Sequence, residues 1–265
     1  MRFPARTGFR AGTVLLLLLT LFVLVPFAPG HAQHKSAPRL PTLVLLASDL
    51  SWDDLRPDGP LSDVRQIAAA GSVAALNTAV SGEATEAAAY LSVGAGERMA
   101  AHGERGRKIF LDTLPLTIAD IAAQVYPANG PEGSAVRPVY FRRFGAPPPQ
   151  DAVGLALGVP TLERTQPSQS RVPLVGVLGD TLRRGGRRVA VFGDWRAVLV
   201  GIDRKGAVYQ GSVLKEMTPS LLPTAVHESD VVIASVSGPK ALRLLIRAVV
   251  PLLQSGAFNL LIASV

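Results

Sequence analysis

No cysteine occurs in the 265 residues, which excludes disulfides and thiolate chemistry. Histidine is scarce: four residues, of which only His102 and His227 lie beyond residue 41. A metal centre built on imidazoles therefore has almost nothing to draw on, and both read as surface or loop side chains. Aromatic residues make up 6% of the chain, and they are not interleaved with the arginines. Arg142-Arg143, Arg183-Arg184 and Arg187-Arg188 are scattered pairs, so the basic balance is not a nucleic-acid footprint. No internal repeat is visible.

What is present begins with a leader. Arg2, Arg6 and Arg10 stand in an acid-free start, followed by an apolar run from Ala11 to Phe27 with five consecutive leucines. Gly30-His31-Ala32 then places small residues where a signal peptidase cuts. Basic, apolar and small-residue regions in that order define a secretory signal peptide. The run is shorter than the ~20 residues a membrane span prefers, and Pro26 breaks its end. We therefore expect residues 1–32 to be a signal peptide cleaved after Ala32, and 33–41 a linker. The expected location is the periplasm, the cell envelope or the extracellular space. Removing the leader takes three arginines and no acids. The 27 basic residues become 24 against 20 acidic ones, and the net charge falls from +7 to +4.

The remainder, 42–265, reads as one α/β domain. Thr42 to Ala47 is a continuous apolar run, the mark of a strand buried on both faces. Helices are expected over Leu61–Ala70, Thr85–Val93, Thr117–Tyr126, Val175–Arg184 and Pro239–Leu253. Further strands are expected at Ser72–Leu76, Arg188–Phe192, Val231–Ser235 and Phe258–Ser264. Val198–Ile202 and Ala207–Tyr209 are read as a hairpin about Arg204-Lys205-Gly206. The stretch 127–173, rich in Pro, Gly and Ser, is expected to be a long irregular insertion. Strands alternating with helices imply a doubly wound, largely parallel sheet. The sequence stops at Val265, at the tip of an apolar strand without a covering helix, and is expected to be part of a longer protein.

In open parallel sheets ligands bind beyond the carboxyl ends of the strands. Asp49 follows the first strand there, and Thr85 opens a helix after the second. A carboxylate at such a point can hold a divalent cation. A metal-activated hydroxyl at a helix start can act as a nucleophile. The same two residues also make ordinary helix caps. Gly94-Ala95-Gly96 follows a helix, so it reads as a helix end and not as a phosphate loop. Trp52 and Trp195 read as packing or pocket-rim residues, Asp194 and Asp203 as spare acids, and Arg183 to Arg188 as a solvated face.

Two segments carry a resemblance. Leu43 to Leu55 contains Ser51-Trp52-Asp53-Asp54-Leu55, and Asn77 to Gly96 reads NTAVSGEATEAAAYLSVGAG. Both are similar to the opening of the alkaline phosphatase superfamily, and most closely to an exported, poorly characterised bacterial branch of it. Val177–Asp180 through Gly193 and the strand after Asp230 fit the same branch. The resemblance implies a doubly wound α/β sandwich around two metal ions, usually zinc. By position it implies Asp49 as a metal ligand, Thr85 as the nucleophile and Asn77 as a phosphoryl-oxygen contact. The substrate class would be a small phosphate-type ester, and membrane contact would be confined to the leader or a missing C-terminal part. Two departures stand out. The family's Asp-Gly is Asp49-Leu50 here, and the strand ending Ser235-Val236-Ser237-Gly238 carries no Asp or His. A catalytically degenerate, metal-free envelope binding protein is therefore the alternative, and an unrelated α/β protein sharing short patterns is a third.

Overall fold

The first strand sets the frame. Its six residues, TLVLLA, alternate in direction. Leu43, Leu45 and Ala47 enter one buried cluster, while Leu46 and Val44 pack into another. Both faces are covered, which is why its sequence is apolar throughout. We describe the fold from a computed structural model, which describes residues 40–47, parts of 53–67, 86–96, 98–99, 109–111, 114–116, 125–165 and 174–264.

In chain order, β1 (Thr42–Ala47) is followed by α1 (Glu86–Ala95) and by the short antiparallel pair β2 (Ile109–Leu111) and β3 (Leu114–Leu116). Next come β4 (Val125–Pro127), α2 (Gly130–Phe144), β5 (Gly154–Ala156) and α3 (Val159–Thr165). The chain continues through α4 (Val177–Arg184), β6 (Val189–Gly193), α5 (Trp195–Gly201), β7 (Ala207–Val208) and β8 (Gln210–Val213). It closes with α6 (Leu222–Glu228), β9 (Val231–Val236), α7 (Gly238–Gln254) and β10 (Asn259–Ser264).

Five strands form the main sheet in the order β10-β1-β9-β6-β8, and every pairing among them is parallel. Helices α1 and α5 cover the face carrying Leu46, Val191 and Ile233. Helices α6 and α7 cover the face carrying Leu45, Ala190, Val232 and Ala234. The molecule is α/β with a largely parallel sheet, and the two-sided cover is compatible with double winding. Among the described residues no helix is long and apolar enough to cross a membrane.

Three expectations need correction. The described part of the stretch 127–173, residues 127–165, is not irregular: it carries α2, β5 and α3. Two of its Pro and Gly residues mark boundaries, while Gly133 and Pro138 lie inside α2. Pro131 stands in the first turn of α2 and Gly145, at φ 71°, ends it. Helix α2 then packs Val136 and Tyr140 on a small antiparallel sheet, β4-β5-β7. Val125 and Tyr126 belong to strand β4 and not to the end of a helix. Finally, Val198–Ile202 is no hairpin strand, because residues through Gly201 form α5. A short, wholly buried apolar run fits either element. The Asp194 carboxylate decides it by accepting the Arg196 backbone N–H as an N-cap. Strand β7 pairs with β5 instead.

Candidate functional site

Strands β6 and β9 are neighbours, yet the chain leaves them towards opposite faces. After β6 it enters α5 on one face, and after β9 it enters α7 on the other. A parting of connections of this kind marks the place, beyond the carboxyl ends of the strands, where ligands of parallel α/β sheets bind. Strand β1 lies on the other side of β9 and ends at the same level, with Ala47 paired to Val236.

The described side chains at this end come from four elements. Ser235, buried in β9, accepts the Asp194 backbone N–H at 2.8 Å and so ties the end of β6 to β9. The Asp194 carboxylate caps α5 and pairs with the Arg196 guanidinium. Arg196 lies 5.2 Å over the Trp195 ring. Trp195 in turn meets Tyr90 of α1 edge-to-face, at 6.2 Å and 85°. The first residue of α5 is thereby joined to the N-terminal half of α1. Asp194 is thus a helix cap and ion-pair partner, not a spare acid.

Asp49, Asn77 and Thr85, as well as Trp52 and His102, lie outside the described residues. Among the described residues no group of three His, Cys, Asp or Glu side chains is close enough to hold a metal ion. His227 sits exposed in the last turn of α6. Sequence reasoning overlooked Ser235 and Arg196. The available signal was a lone hydroxyl inside an apolar strand, and an Asp-x-Arg directly after a strand-ending glycine.

The amino end of the sheet holds a second polar cluster. Asp203 is 2% exposed, so it is no spare acid either. It accepts the backbone N–H groups of Lys205 and Ala207 at 2.9 and 3.0 Å and the Tyr209 hydroxyl at 2.6 Å. Burial first, and then the hydrogen bond to Asp203 and that carboxylate's charge, push the Tyr209 phenol well above its ordinary range. Burial raises Glu163 as well, opposed by a hydrogen bond from the Val175 backbone and by the Arg204 charge. Arg183 and Arg187 line a cleft here and do not form a purely solvated face.

No family profile, curated protein or solved structure matches the chain.

Proposed function

We propose that this is an exported protein of alkaline-phosphatase-like, doubly wound organisation that hydrolyses a phosphate or related ester at the carboxyl ends of β1, β6 and β9. In this reading Thr85 attacks, Asn77 orients a phosphoryl oxygen, and Asp49 holds a divalent metal, with zinc expected. The reading is supported by one convergence. Strand β1 ends two residues before Asp49, beside β9. Helix α1 begins one residue after Thr85, and its Tyr90 meets Trp195 just past the end of β6. The chain segments flanking both candidates thus approach the same end of a parallel sheet.

The described donors do not by themselves make a metal centre. Asp194 is engaged by Arg196, and the resemblance assigns the ion to Asp49. A bound divalent ion would lower the pKa of the attacking hydroxyl. The protein's own contribution is to hold Thr85 at a helix start, where backbone N–H groups favour an anionic group.

A second reading is favoured by a specific observation. Strand β9 ends in hydroxyls where the family carries Asp and His, and Ser235 is spent on the β6 backbone. That suits a metal-free envelope binding protein that retains the fold. Metal analysis and ester turnover on the full chain separate the two. The hydrolase predicts bound zinc or manganese, depleted in Asp49→Ala. It also predicts turnover of an aryl phosphate that falls about a thousandfold or more in Thr85→Ala. Undiminished turnover in Thr85→Ala overturns it. A stable, metal-free, inactive wild type counts against the hydrolase and favours the second reading.

A further inference from the structure

A cleft of about 190 Å³ opens at the amino end of the main sheet, lined by Arg183, Arg187, Arg188, Val189, Tyr209 and Gln210, with Asp203 in its wall. It is distinct from the carboxyl-end site. Val189 is the first residue of β6, and the Gly193 end of that strand faces the other site.

The cleft's polar groups are ordered. Asp203 is saturated by three donors, including the Tyr209 hydroxyl. The Arg183 guanidinium carbon lies over the Tyr209 ring, 3.7 Å from its centroid. Its nearest carboxylates, Asp151 and Asp203, stand at 3.5 and 3.7 Å. Arg187 has a side chain only 27% exposed, and its nearest carboxylate, Asp230, is 4.0 Å away. Neither guanidinium makes a hydrogen bond among the described residues. Arg183 is therefore held by stacking, and both guanidiniums keep their carboxylate partners only as long ion pairs of 3.5 to 4.0 Å, which leaves N–H groups for a further acceptor. Guanidinium forks suit a two-oxygen anion, and holding them in advance lowers the entropy cost of capture.

We infer that this cleft is a binding site for the oxyanion group of a small molecule, a phosphate or a carboxylate, clamped between Arg183 and Arg187. Its lining carries three arginines and Asp203. Asp151 and Asp230 stand just outside the lining, at 3.5 and 4.0 Å from Arg183 and Arg187, so the oxyanion binds by taking over N–H groups that these carboxylates hold only loosely.

The test is titration calorimetry on the full chain at low salt, with inorganic phosphate and with malonate as probes. Saturable binding of either anion is expected, and the tighter of the two identifies the source. Losing a charge-assisted hydrogen bond in Arg187→Gln should weaken binding about tenfold or more. Arg183→Lys keeps the charge but loses the planar fork. It should also weaken binding, which guards against a folding failure in either variant alone. Arg142→Gln, which removes an exposed guanidinium on α2 outside the cleft, should bind as wild type. Absence of saturable binding by both anions overturns the inference, and so does equal weakening in Arg142→Gln and Arg187→Gln.

Discussion

Asp203 shows how much one side chain can organise. It stands two residues after α5, lies buried, and gathers two backbone N–H groups and a phenol from the six residues that follow. The turn 203–207 carries the chain from the main sheet into β7. Removing the carboxylate strands the Tyr209 hydroxyl and the buried Ala207 N–H without a partner. We predict that Asp203→Ala lowers stability by about 3 kcal/mol or more. The shift should read out as a lower urea midpoint. Asp203→Asn, whose amide can still meet both kinds of partner, should recover most of the loss. Equal loss in the two variants would mean that the charge, not the hydrogen bonds, holds the turn. In the sequence Asp203 reads only as an acid after an apolar run, because its donors come from the fold of the following turn.

Among the elements, the α1–α5 contact links the segment after Thr85 to the end of β6. It depends on Gly94. The expectation that Gly94-Ala95-Gly96 ends a helix holds for Gly96 alone, which has φ 68° and donates its N–H to the Ser92 carbonyl. Gly94 lies inside α1, and a methyl there would stand 2.2 Å from the Leu199 carbonyl oxygen of α5. An alanine gains about 1 kcal/mol of helix propensity, yet it must push two buried helices apart. Overpacking of that kind costs about 1–3 kcal/mol. Gly94→Ala should therefore lower the melting temperature, whereas on propensity alone it would raise it. If the first reading of the carboxyl end is right, ester turnover should fall with it.

At the scale of the whole molecule, two layers of apolar side chains hold the sheet, and the small β4-β5-β7 sheet with α2 adds a third cluster. That third cluster is locked by Tyr140, which stacks on Phe144 at 4.1 Å and donates 2.7 Å to the Lys205 carbonyl. Burial, helped by the Asp203 charge, pushes the Tyr140 phenol from 10.0 up to about 12. The unfolded chain loses that proton near pH 10, while the folded chain keeps it. The stabilisation is therefore complete below pH 10 and drains away as pH rises towards 12. Thermal melts across that window should show a falling midpoint with a shallower slope in Tyr140→Phe, which itself costs about 1 kcal/mol at neutral pH. An unchanged slope would remove Tyr140 from the alkaline transition. Much of this architecture was legible in the residues. The runs forming β1, β6, β9 and β10 and the periodicity of α4 and α7 are local signals, and local signals suffice for elements buried on both faces or along one stripe. The helical nature of 195–201 and the order within 127–173 were not legible, because apolar runs and proline-rich segments take their form from what they pack against. The candidate site was readable only as chemistry-bearing residues after strands, Asp49 and Thr85. Which strands lie side by side, that β6 and β9 send their connections to opposite faces, and that Arg183 stacks on Tyr209 in the wall of one cleft are long-range facts. The sequence by itself determined β1, β6, β9 and β10, the helices α4 and α7, and the α/β class. Their arrangement, and with it both candidate sites, was decided by tertiary packing, since contacts between residues distant in the chain leave no periodic trace along it.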